Sequence, residues 1–256
     1  MSISTSIEST DNKTTIVKSN FLCVFSILLF ATGFPAAEYL LKDWDIVSVI
    51  TARNVFSFIL IFIIWLFIEG IQKIKSAKWL KGFLIGLSGF GIRAFLILML
   101  QSLTTPVIAA LAVATMPVFA VSLEMLLDGR KMTLWFFFGV VLVLLGGYIA
   151  SGASLREDNV GIAALIGIIG VALFAWGSRA TVKNLPGMST LGQTSVTSFG
   201  MAGISVVLYF FCYILGLTET TSVITINHLG LVLIYGWLGL GISQIFWIKG
   251  ISQLGI

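Results

Sequence analysis

Ionisable side chains are scarce in this chain. Its 256 residues hold 15 Lys and Arg, 11 Asp and Glu, one histidine and two cysteines. The lone histidine, His228, sits in a short polar break, which leaves no histidine cluster for zinc, and no G-x-S-x-G string supplies a hydrolytic serine. Cys23 and Cys212 lie in separate apolar stretches without C-x-x-C spacing, so neither a metal site nor a disulfide framework is expected. No enzyme, metal or cofactor is therefore expected, and a formal charge of +4 needs no nucleic acid to explain it.

Apolar residues fill the space left by charge. They make up 58% of the chain against 10% charged, far from the balance of a soluble domain. Stretches of roughly 20 apolar residues, enough helix to cross a bilayer core, recur along almost its whole length. Eight are expected, near Phe21–Leu41, Ile46–Ile68, Leu80–Gln101, Pro106–Leu127, Thr133–Ser151, Val160–Val182, Gln193–Leu217 and Leu229–Gly250. Residues 1–20 are rich in Ser and Thr and lack the apolar core of a signal peptide, so they read as a polar tail.

Two of these segments carry the same string. GLSGFGI at Gly86–Ile92 returns as GWLGLGI at Gly236–Ile242, 150 positions later and with all three glycines in register. A weaker match pairs Ala31 with Ala172 and Lys42 with Lys183. With the tail taken as cytoplasmic, 11 of the 15 basic residues fall in inner segments and three, Lys42, Arg53 and Arg156, in outer ones. The inner set includes Arg130 and Lys131, and Arg93 alone lies mid-span. In that orientation the third and eighth spans run in opposite senses, which makes the repeat inverted. The expected fold is all-α and integral to the membrane, with residues 21–152 as a first five-helix unit and 160–256 as a second that lacks its last two helices. Inverted repeats are a frequent plan of secondary transporters, so transport leads, with a non-transporting scaffold or inactive fragment as the alternative.

Longer segments resemble a known family. PVFAVSLEMLLDGRKMTLWFFFGVVLVLLGGYIASG at Pro117–Gly152, the arginine of ITARNVFSFIL and WGSRATVKNL at Trp176–Leu185 are similar to the EamA family of the drug/metabolite transporter superfamily. The resemblance implies ten helices in two inverted repeats and a central cavity lined by the first, third and fourth helices and their counterparts. It also implies export or exchange of a small organic metabolite, such as an amino acid, across the cell membrane. The chain departs from the pattern at Gly129-Arg130, where the family usually has Gly-Glu. It also has no counterpart of the fourth and fifth spans in its second half, so it is expected to be part of a ten-helix protein or to need a partner. A homodimer is left open.

Polar and aromatic residues at membrane depth supply the candidate site. Arg93, midway along the third span, can hold a carboxylate or phosphate bidentately, or else pair structurally with Glu124 or a helix-end carbonyl. Gln244 lies one position past the residue symmetric with Arg93 and is expected to line the same cavity, with an interhelical hydrogen bond as its plainer role. Trp176, Trp247 and Phe34 are expected to offer flat apolar surface if they face inward, with simple packing as the other reading. Glu38 is a candidate for proton coupling, or a partner of Arg53 across the LKDWD turn. Trp44, Trp79 and Trp135 read as interfacial anchors, and Glu124 and Asp128 as members of a cytoplasmic charge cluster. The glycine strings are expected to let helices approach closely, and Pro35, Pro106 and Pro117 to kink or start spans.

Overall fold

Proline places two of the breaks in the helices. Pro35 has no N–H and crowds the carbonyl of Ala31, and the first helix is interrupted at Thr32 between Ser2–Ala31 and Gly33–Leu40. The fourth span, which carries Pro117, is interrupted at Thr115 between Pro106–Ala114 and Met116–Asp128. Pro106 instead starts its helix at a position that needs no N–H, behind Thr105, whose hydroxyl accepts from Ile108 N at 3.3 Å. These features come from a computed structural model, which describes residues 2–129, 134–150, 160–218 and 224–254. Arg130, Lys131 and Arg156 lie outside the described residues, as do the side chains of Asp128 and Trp135.

All described secondary structure is helical. Among the described residues seven helices are long and apolar enough to cross a membrane: α1 (Thr15–Leu40), α2 (Ile46–Lys75), α3 (Trp79–Leu103), α4 (Pro106–Leu127), α6 (Ile162–Asn184), α7 (Thr190–Ile214) and α8 (Ile226–Leu254). Between α4 and α6 lies α5 (Leu134–Ala150), a wholly uncharged helix of 17 residues. Seven of the eight expected apolar segments fall in these spans and the described part of the other, Leu134–Ala150, is helix, with α1 running back into the polar tail and α2 running past Ile68 to Lys75. Gly70, at φ 77°, breaks the helical path of α2 near its end.

The repeated glycine strings become a feature that periodicity did not reveal. Both widen into π-helix, at Gly86–Gly91 within α3 and at Ile234–Ile242 within α8. Such widened turns occur often at functional sites. Each string is also where foreign backbone comes closest. A methyl group on Gly86 would collide with the carbonyl of Thr197 on α7, and one on Gly236 would lie 2.9 Å from the carbonyl oxygen of Arg53 on α2. Gly89 faces Gly177 on α6, and Gly239 faces Gly33 on α1.

So α3 packs on α6 and α7, while α8 packs on α1 and α2. Thr197 and Arg53 are 144 positions apart, as are Gly177 and Gly33. The contacts therefore match α1 to α6 three residues away from the sequence pairing of Ala31 with Ala172. Additional close pairings run α1 along α8 and α2 along α7. The helices enclose three buried apolar clusters, the largest around Trp65, Phe90 and Met201.

Candidate functional site

Arg93 enters the core two residues after the π-helical turn of α3 and is only 3% exposed. Its guanidinium lies over the Phe174 ring of α6 at 4.0 Å and over the Phe30 ring of α1 at 4.9 Å. Two aromatic quadrupoles thus lie against the cation. Its edge is another matter, because Nε and Nη2 are buried and have no hydrogen-bond partner. Buried charged donors are normally satisfied, so this pair asks for an acceptor. The structural pairing with Glu124 is not made. Glu124 lines a separate cavity of about 150 Å³ with Arg179.

Beside Arg93 lies a cavity of about 290 Å³, within the range of small-ligand sites once its open surroundings are included. Residues from α1, α3, α4, α6, α7 and α8 line it, among them Phe30, Phe34, Arg93, Met116, Phe174, Gln244 and Trp247. Ser26 and Ser243 line it too, but Ser26 Oγ donates to the Ser243 carbonyl at 2.7 Å and so ties α1 to α8. Gln244 Nε2 makes a long contact of 3.5 Å to Thr197 Oγ1, whose own proton goes to α7 carbonyls. Gln244 Oε1 is buried without a partner.

Trp247 spans the boundary between the 290 Å³ and 150 Å³ cavities. Its indole Nε1 donates to Ser178 Oγ at 3.0 Å, and its ring stacks on Phe174 with centroids 5.7 Å apart. Phe34 is buried and meets Phe30 edge-on at 5.6 Å. The structure thus brings together Arg93, Gln244, Trp247 and Phe34. It does not bring Trp176, which is 38% exposed and absent from the cavity lining. Helical geometry explains the difference: Phe174 and Trp176 are two positions apart on α6 and so face different directions. Glu38 is exposed near the end of α1 and also lies off the cavity lining.

Arg53 is the residue that sequence reasoning placed elsewhere. It is 3% exposed rather than in an outer loop, and its partner is not Glu38. Nε and Nη2 donate to Asn54 Oδ1 at 3.0 and 2.9 Å, and Nη1 donates to Tyr235 Oη of α8 at 3.0 Å. Asn54 in turn donates to Ser205 Oγ of α7 at 2.6 Å. Arg53 and Arg93 line the same small cleft, of about 10 Å³, on the far side of Phe34. The signal was available: Arg53 is two helical turns in from Ile46, too deep for a helix-end anchor.

The comparisons with known proteins agree with this architecture. Residues 17–152, just over half of the chain, match the EamA-like transporter family. A solved chain titled only as the crystal structure of a protein is 18% identical and superposes with a TM-score of 0.70, over 93% of this chain and 80% of that one. That likeness establishes a shared fold. The comparison with curated proteins returned no match. A multi-pass helical core with a polar-tipped central cavity, together with a family match across its first half, leads to one assignment: the chain belongs to the EamA-like transporter family of the drug/metabolite transporter superfamily, whose members are transporters and not enzymes.

Proposed function

We propose that this protein is a secondary transporter that exports or exchanges a small organic metabolite by alternating access around the cavity at Arg93. The observation that carries the reading is the buried and unpaired guanidinium edge of Arg93, a residue that lines a cavity of about 290 Å³. An ionisable group at membrane depth is costly unless it serves a ligand or a partner, and no described protein group partners this edge. Phe34, Phe30, Phe174 and Trp247 supply the apolar walls, and Gln244 a second polar contact.

The two halves are read as inverted repeats, which gives alternating access its mechanical basis. In support, matched glycines on α3 and α8 meet matched partners at one spacing of 144 positions. Phe30 and Phe174, whose rings both lie against the Arg93 guanidinium, are separated by the same spacing. The tail is assigned to the cytoplasm of a cell membrane. With Arg53 buried, the basic residues divide 11 inside to two outside, a stronger bias than the sequence count. Glu38, exposed and off the cavity lining, is given no part in coupling in this reading.

Uptake into vesicles reconstituted with the protein tests the proposal. Metabolite mixtures offered outside should accumulate at least one solute with wild type, and Arg93→Ala should accumulate it at least about tenfold more slowly at similar protein level. No uptake by well-folded wild type would favour a scaffold instead.

A further inference from the structure

We infer that the cavity beside Arg93 takes an organic anion bearing no positive charge: a carboxylate or sulfonate on a flat, apolar body. The inference rests on the transport reading above and narrows its substrate class. Three observations carry it. First, the two unpartnered atoms of Arg93 are Nε and Nη2, which lie along one edge of the guanidinium plane. That edge is the one that grips the two oxygens of a carboxylate or sulfonate side by side. The Phe30 and Phe174 rings lie against the guanidinium, so the unpartnered edge is what the cation has left to offer a ligand.

Second, Arg93 is the only ionisable residue among those described as lining the cavity. The next buried charge is also an arginine, Arg53, across the small cleft that both residues line. The nearest lined space that contains a carboxylate lies beyond Trp247, where Glu124 is accompanied by Arg179. An ammonium group in the cavity would therefore lose its hydration without a counter-charge, with Arg93 as the charged neighbour in its lining. That excludes cations and disfavours zwitterions such as free amino acids. Third, the remaining open polar atom, Gln244 Oε1, is a neutral acceptor. It can take a proton from a hydroxyl or amide N–H on the ligand, and it offers no charge to an ammonium.

Three compounds with one phenylethyl body separate the possibilities: 2-phenylethanesulfonate, phenylalanine and phenethyltrimethylammonium. The sulfonate cannot leak across lipid as a neutral acid. Binding is read as a thermal shift of the purified full chain in detergent, and transport as uptake into vesicles. The sulfonate should bind and be taken up, phenylalanine should bind at least about tenfold more weakly, and the quaternary amine should not bind. Arg93→Ala should abolish sulfonate binding. Should that variant fail to fold, Arg93→Lys keeps the charge but not the two-point edge and should weaken binding about tenfold. Binding of phenylalanine or the amine equal to the sulfonate would overturn the charge assignment, whereas their uptake would leave transport standing. Sulfonate binding without uptake would uphold the assignment and count against transport. No binding by any of the three would overturn it.

Discussion

Replacing Gly86 with alanine should loosen the contact between α3 and α7 more than any other glycine-to-alanine change in the two repeated strings. The new methyl would collide with the Thr197 carbonyl oxygen, with the carbonyl carbon 2.7 Å and the Cα 2.9 Å away. All three are main-chain atoms of a helix, and none can swing aside as a side chain would. The helices must then separate by on the order of 1 Å, which forfeits about a quarter to a half of the dispersion attraction along the contact. In a membrane this packing is the main attraction between helices, so the loss should approach about 3 kcal/mol, the upper end for overpacking.

Gly236→Ala meets one backbone oxygen at 2.9 Å, a milder clash that should cost about 1 kcal/mol. Gly230, on α8, has nothing within 4 Å, so alanine there should gain up to about 1 kcal/mol of helix propensity. The assay is reversible unfolding in mixed micelles, read as the denaturant midpoint for the three variants. Equal midpoints for Gly86→Ala and Gly230→Ala would refute the close helix approach.

Tyr235→Phe removes the acceptor of Arg53 Nη1 and leaves a buried guanidinium one bond short. It should lower stability by about 1.5–3 kcal/mol, measured by the same titration, whereas an unchanged midpoint would mean that the Arg53 cluster is not formed. The orientation predicts that, in a cysteine-free background, Lys42→Cys is labelled by an impermeant thiol reagent on intact cells. Ser76→Cys should react only after the membrane is opened, and the reverse pattern would invert the topology.

Much of the fold could be read from the chain because the membrane makes a blunt demand. Every apolar segment had to become helix, since no other chain conformation satisfies its backbone in lipid without a closed barrel. Proline then fixed the breaks at Thr32 and Thr115 by local sterics, which depend on nothing distant. Arg93 and Gln244 were also legible, because a charge or amide at that depth is rare enough to mark a site.

Direction around a helix was less legible. In an almost uniformly apolar segment, nothing polar marks the outward face, so Trp176 and Phe174 could not be told apart until their neighbours were known. Depth failed at Arg53 for a different reason. Its hydrogen bonds to Asn54 and Tyr235 bring a charge into the core that proximity to a helix start had seemed to place in water. The close approach of the glycine strings to the carbonyls of α2 and α7 was likewise hidden. Those partners are distant in sequence.

The most direct test is access to the cavity from each side of the membrane. In a cysteine-free background, Ser26→Cys places a thiol on the cavity wall. An impermeant thiol reagent should label it both in right-side-out and in inside-out vesicles, as a cavity that opens alternately requires, and Arg93→Ala should leave that labelling in place while stopping transport. Labelling from one side alone, or from neither, would contradict alternating access around Arg93.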